Sequence, residues 1–208
     1  FRKLKYNIEK FKKNKHSTLI TFGGAYSNHL LAVSYIAKIE NINTIAFVRG
    51  DELGVLPLNS TLQRCFDNGM EFKFISREKY RFRNDSNFLK NLSSKYNNAF
   101  IIPEGGTNDL GILGCEEILT LRDKNFFDVI CVPVGSGGTF SGLINSSLKK
   151  QKILGFSALK NSNIINVINK FVNKNNWKLI DEDLFGGYAK SNQNLIQFIN
   201  KFYNDSKL

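Results

Sequence analysis

Three stretches of the chain combine glycine pairs with small polar side chains, each directly after an apolar run. They are ThrPheGlyGlyAlaTyrSerAsnHis at 21–29, IleProGluGlyGlyThrAsn at 102–108 and ValProValGlySerGlyGlyThrPheSerGly at 132–142. Glycine lets a backbone turn sharply and approach a ligand closely. Gly135, Ser136, Gly137, Gly138 and Thr139 would present successive N–H groups and two hydroxyls at a helix start. That donor set holds a phosphate, helped by the helix dipole. Ser27 and Asn28 would offer a hydroxyl and an amide beside the unpaired N–H groups of another helix start. Each loop also has a plainer use. The 135–142 segment could be a tight turn without a ligand, and Ser27 or Asn28 could simply cap a helix. Thr107 and Asn108 could touch a ligand or cap the helix that follows.

Other chemistries find less support. The 135–142 loop lacks the GlyLysSer/Thr of a P-loop. Phe140 stands where a dinucleotide fingerprint needs its third glycine, and no acidic residue follows about 20 positions on. No G-x-S-x-G elbow or HExxH is present. His29 at a helix start fits a local hydrogen-bonding role, and His16 fits an exposed one. Two histidines without matching carboxylates predict no metal site. Cys65, Cys115 and Cys131 are odd in number and lack CxxC spacing, so three reduced thiols are expected. Tyr188, in GlyGlyTyrAlaLys at 186–190, could reach a pocket or merely pack.

These loops need a scaffold that brings strand ends together. Apolar runs predict strands at Thr18–Phe22, Thr44–Val48, Glu71–Ile75, Phe100–Pro103, Asp128–Val134, Lys152–Ala158 and Trp177–Ile180. Most are continuous rather than alternating, as in strands buried on both faces. Helical spacing predicts helices at Leu4–Lys13, His29–Glu40, Thr61–Asn68, Asn87–Tyr96, Leu110–Arg122, Thr139–Lys149, Asn163–Asn173 and Asn192–Tyr203. Asn59-Ser60 and Ser191-Asn192 suit helix caps, and Gly69 suits a helix stop. The alternation predicts an α/β protein: two open, twisted parallel-sheet domains with flanking helices. A smaller domain is expected over 14–105, with 1–13 and 106–208 forming part of a larger one.

The chain has 208 residues, 42% hydrophobic and 23% charged. That length buries roughly 70% of the unfolded surface without a staple. No apolar run approaches the about 20 residues of a membrane span. The net charge of +11 is spread over helix faces such as Phe11–Lys15 and Lys149–Lys152. No Arg-rich helix or aromatic platform accompanies it, which argues against nucleic acid and for small anionic ligands. A cytoplasmic location is expected. The basic start has no apolar stretch after it and no initiator Met, so residue 1 is not expected to be the natural start.

Taken in order, ArgLysLeuLysTyr (2–6), GlyGlyAlaTyrSerAsnHis (23–29), ProGluGlyGlyThrAsn (103–108), GlySerGlyGlyThr (135–139) and GlyGlyTyrAlaLys (186–190) resemble the 1-aminocyclopropane-1-carboxylate (ACC) deaminase / D-cysteine desulfhydrase family. These are tryptophan-synthase-β-like enzymes of fold type II that use pyridoxal 5′-phosphate (PLP). GlySerGlyGlyThr is shared across that wider superfamily; SerAsnHis with the ArgLysLeu-x-Tyr start is more specific. The resemblance implies that Gly135 to Thr139 hold the cofactor phosphate and that Asn28 bonds its ring hydroxyl. Ser27 would face the substrate, binding its carboxylate or moving a proton, with Tyr188 as a pocket tyrosine. The family motif GlyAsnLys-x-ArgLysLeu carries the Schiff-base lysine. Phe1 falls at the x position, so that lysine is expected just before residue 1, and Lys3 is not its counterpart. A family segment like AspProValTyr, which faces the pyridine nitrogen, is not found before Leu208, so the chain is expected to be truncated at both ends and inactive by itself.

The implied activity is that of a PLP-dependent lyase on a small amino acid, in a homodimer. β-Elimination from D-cysteine would give pyruvate, ammonia and sulfide; ring opening of ACC would give 2-oxobutanoate and ammonia. SerAsnHis, against the SerAsnGln of ACC deaminases, favours the first. A binding protein without the lysine is the alternative of another class.

Overall fold

A computed structural model describes residues 1–97, 99–158, 163–181 and 191–206. Contacts divide the chain into two units, Phe1–Ile118 and Leu119–Leu208.

The first unit begins with α1 (Arg2–Lys13), β1 (Thr18–Gly23), α2 (Asn28–Glu40) and β2 (Asn43–Arg49). It continues with α3 (Ser60–Asp67), β3 (Met70–Ile75), α4 (Arg77–Tyr80), α5 (Ser86–Lys95), β4 (Phe100–Ile101) and α6 (Asp109–Glu116). Its sheet has the order β3-β2-β1-β4, with parallel pairing throughout. Side chains alternate across a strand. Leu19, Ala46 and Val48 therefore meet Leu4, Ile8, Phe11, Leu30 and Val33 on one face. Ile20, Phe22, Ile45 and Phe47 meet Tyr80 and Leu92 on the other. Covering both faces is what makes β1 and β2 read as unbroken apolar runs. Each such side chain, fully buried, contributes about 1.5–3 kcal/mol.

From β1 the chain proceeds outward through β2 and β3 on one side, then returns to place β4 on the other. The carboxyl ends of β1 and β4 thus border a topological switch point, where open α/β sheets gather ligands. The loops 23–28 and 102–108 leave from those two ends.

Sequence patterning placed a division near residues 13 and 105; contacts place it after Ile118. The physical reason is the crossing of α1 and α6. A Cβ on Gly114 would lie 1.9 Å from the Arg2 carbonyl oxygen, so only glycine permits this approach. Leu4, Ile8 and Phe11 then carry α1 into the first unit's core. Glu117 ties the crossing at the surface through Arg2 Nη1 (2.8 Å), Lys5 Nζ (2.7 Å) and the Tyr6 hydroxyl.

The second unit holds α7 (Leu121–Phe126), β5 (Val129–Val134), α8 (Gly138–Ser146), β6 (Lys152–Ser157), α9 (Ile164–Asn169), β7 (Trp177–Ile180) and α10 (Gln193–Ser206). Its sheet runs β5-β6-β7, again parallel. Phe140, Ile144, Ile153 and Ile168 are buried in it, and Phe140 meets Trp177 edge-on at 5.6 Å. Two expectations change. The single helix expected over 110–122 is two, because Thr120 and Asp123 form a reciprocal capping box that starts α7 afresh. The apolar β5 alternates instead: Val129, Cys131 and Pro133 are exposed, Ile130 and Val132 half-buried and Val134 buried, so one of its faces is open among the described residues. No helix of the described residues is long and apolar enough to cross a membrane.

Candidate functional site

In the first unit, the loop after β1 turns at Gly23 and Gly24 and enters α2. Ser27 is the N-cap of α2; its Oγ accepts from the Leu30 amide at 3.2 Å. The cap use of this serine is therefore realised, and it leaves the hydroxyl proton uncommitted by that bond. Asn28 opens the helix at an exposed position. It borders a groove of about 500 Å³ with Leu31, Tyr35, Arg64 and Asp67. His29 turns the other way: its Nε2 lies 2.8 Å from Thr21 Oγ1. Thr21, fully buried, donates its hydroxyl to the Ile102 carbonyl at 2.9 Å. Burial, with the charge of Lys3 behind it, brings the His29 pKa down to about 3, so the imidazole is neutral.

The loop after β4 answers from the neighbouring strand end. Gly105 and Gly106 both take positive φ. Lys3 Nζ donates to the Gly105 carbonyl at 2.9 Å. Burial holds the Lys3 pKa below the usual lysine value, an effect partly offset by Cys115. Asn108 caps α6, accepting from the Gly111 amide at 2.8 Å. It also exchanges amide bonds with the fully buried Asn7. Ser27, Asn28, His29 and the Gly105–Gly106 turn are thus gathered at one sheet end with the start of α1.

Four residues at this end carry no role in the sequence patterning above. Glu104 accepts from the Tyr80 hydroxyl at 2.9 Å and from Arg83 Nε at 2.6 Å. Arg83 stacks over the Tyr80 ring at 4.9 Å, and Arg49 lies 5.9 Å from it. Burial, then the Glu104 charge, raises the Tyr80 pKa. Arg49 ends β2, and its Nη2 comes within 3.7 Å of where a Cβ of Gly24 would be. Its position as a cation directly after the predicted strand Thr44–Val48 and just before Gly50 was the signal that could have found it.

In the second unit, Gly135–Gly137 joins β5 to α8. Gly137 has φ +84°, and a Cβ there would meet Ile164 and Ile168 at 3.3 Å. Side chains cap α2, α3, α5, α6 and α7. α8, like α1 and α9, has no such cap. Its first-turn N–H groups are the kind a helix leaves to an outside acceptor. Ser136 and Thr139 stand half-buried on either side. Tyr188 lies outside the described residues. Among the described residues no cluster of His, Cys, Asp or Glu could hold a metal ion.

No family model matches the chain. A Thermotoga maritima protein provisionally named 1-aminocyclopropane-1-carboxylate deaminase is 35% identical over 149 residues, 68% of this chain and 46% of that protein. The mitochondrial bifunctional D-cysteine desulfhydrase/1-aminocyclopropane-1-carboxylate deaminase of Arabidopsis thaliana is 32% identical over 176 residues, 75% of this chain and 43% of that protein. The crystal structure of an ACC deaminase homologue superposes with a TM-score of 0.79 at 23% identity, covering all of this chain and 68% of that one. A pyridoxal 5′-phosphate-dependent aspartate racemase gives 0.65 at 14% identity, covering 100% of this chain and 68% of that one. The chain spans about half the length of the curated relatives it matches. By sequence likeness to two relatives and by its parallel α/β architecture, the chain belongs to the ACC deaminase / D-cysteine desulfhydrase family, on the fold of the type II PLP enzymes.

Proposed function

We propose that the protein is a PLP-dependent lyase that deaminates a small amino acid, acting on D-cysteine with release of pyruvate, ammonia and sulfide. The observation that carries this reading is the start of α8. A glycine turn with positive φ delivers an uncapped helix start, flanked by two hydroxyl residues, at the end of a parallel strand. That donor set fits a phosphate monoester. When bound, PLP would act as the electron sink for a carbanion at the substrate α-carbon.

Gly135 to Thr139 would bind the phosphate through backbone N–H groups and hydroxyls. Asn28 would hold the ring hydroxyl through its side-chain amide. Ser27, its acceptor face already on the Leu30 amide, would use its hydroxyl proton toward the substrate carboxylate or as a proton relay. Tyr188 is proposed as its pocket neighbour. Lys3, held on the Gly105 carbonyl, is not proposed as the covalent anchor. That role goes to the lysine that the family motif aligns just before Phe1. We read the protein as a cytoplasmic homodimer.

ACC, opening to 2-oxobutanoate and ammonia, is the second substrate supported by the relatives' names. The test uses the full-length protein with PLP. Pyruvate and sulfide from D-cysteine support the first reading, and 2-oxobutanoate from ACC supports the second. Bound cofactor with neither keto acid would leave a binding protein. No visible absorbance from bound cofactor would overturn the proposal.

A further inference from the structure

We infer that His29 is a positioning residue: it locks the Ser27–Asn28 loop to the Gly105–Gly106 turn as an Nε2–H donor and does not itself read the substrate. The inference deepens the reading above, since it takes Ser27 and Asn28 as the reacting end.

A threonine hydroxyl has a single hydrogen. That of Thr21 goes to the Ile102 carbonyl oxygen at 2.9 Å. The 2.8 Å contact between Thr21 Oγ1 and His29 Nε2 must then be filled by a hydrogen on the histidine. A neutral imidazole carries only one N–H, so Nδ1 keeps its lone pair. Nδ1 and Cε1 lie 3.5 and 3.4 Å from where a Cβ of Gly106 would stand, with Lys3 Cβ 3.6 Å from the same point. The imidazole is therefore taken up by β1, by the turn after β4 and by α1. The charged group facing it is Lys3.

Thr21 lies six residues before Ser27, on the strand that delivers the loop, while Ile102 follows β4. The relay Ile102–Thr21–His29 thus sets the distance between the two strand ends and the angle at which α2 leaves. A side chain oriented this way spends its one N–H on Thr21 and turns its Nδ1 edge to the Gly106 turn, away from a donor role toward an amino acid in front of Ser27. A glutamine amide can place an N–H near the Nε2 position and make the same bond to Thr21.

The test uses the full-length protein labelled with ¹⁵N-histidine. The chain has two histidines, and His29 is assigned as the signal lost in H29Q. At pH 7 a neutral Nε2–H tautomer is expected. In T21V, with the acceptor gone, that signal should shift or split between tautomers. An Nδ1–H tautomer, or a charged ring, would overturn the inference. In parallel, H29Q is compared with H29L for PLP binding and for keto acid made from D-cysteine and from ACC. H29Q should stay within about threefold of wild type on both substrates, with their ratio unchanged. H29L should lose about tenfold or more in kcat on both alike, the scale of one lost hydrogen bond. A tenfold change of the substrate ratio in H29Q would sink the inference, because the ring would then be reading the substrate. If wild type binds no PLP and turns over neither amino acid, the function fails, and the tautomer measurement still decides the fate of His29.

Discussion

Ser27 carries two jobs that a single substitution separates. Its Oγ caps α2 through the Leu30 amide, and the proposed chemistry uses the hydroxyl proton. Ser27→Ala should cost about 1 kcal/mol of stability from the lost cap, read as a lower urea midpoint, and should abolish keto-acid formation. Ser27→Asn keeps a capping oxygen, so it should restore stability without activity. His29 makes a pH prediction. Its folded pKa, about 3, lies below the ordinary 6.5, so the unfolded chain binds the proton more readily. The stabilisation is full above about pH 6.5 and is lost as pH falls toward 3. Urea midpoints at pH 7 and pH 5 should differ more for wild type than for H29Q; equal differences would contradict this. At this scale the glycine loops and the SerAsn pair were legible, because composition and position at strand ends suffice. The direction of the His29 ring was not. It depends on Thr21 and Ile102, whose pairing is a matter of strand register.

Elements were more legible than their contacts. Among the described residues all seven sheet strands fall within two residues of the sequence expectation; burial on both faces explains the unbroken apolar runs of β1 and β2, while β5 was legible from its apolar composition alone. Asn59 caps α3 through the Thr61 and Leu62 amides, and Gly69 takes positive φ after it, as the turn chemistry predicts. The break between α6 and α7 was missed because the apolar spacing runs on through it, while the capping box at Thr120 is a local event. The packing of α1 with α6 was also hidden, since Gly114 looks in sequence like any helix glycine. Gly114→Ala should force the two helices apart and lower stability by about 1–3 kcal/mol, measured by urea unfolding. Gly137→Ala puts a side chain at φ +84° and against Ile164 and Ile168. It should weaken PLP binding by at least about tenfold, since strain of about 1–2 kcal/mol falls on the turn proposed to hold the phosphate. Unchanged affinity would remove that turn from the site.

At the scale of the whole molecule, the charge of +11 bears on how an anionic cofactor arrives. Long-range attraction between exposed charges fades as the screening length falls from about 10 Å at 0.1 M salt to about 3 Å at 1 M. The association rate of PLP should therefore drop several-fold across that range in stopped-flow measurement, while dissociation from the proposed amide cradle changes little. A salt-independent association rate would mean that the lysine-rich helix faces steer nothing. The excess of Lys and Asn spread over helices reads in sequence as solvated surface, and no sequence rule says which face looks toward the cofactor.

The crossing of α1 on α6 has a mechanical meaning. With the Arg2 carbonyl seated where a Cβ of residue 114 would lie 1.9 Å away, this close approach is possible only over a residue without a side chain. The crossing behaves as a detent. It fixes the axial setting of α1, keeps the Lys3 ammonium on the Gly105 carbonyl, and so carries the stretch around Phe1 to a fixed address beside the turn that His29 braces.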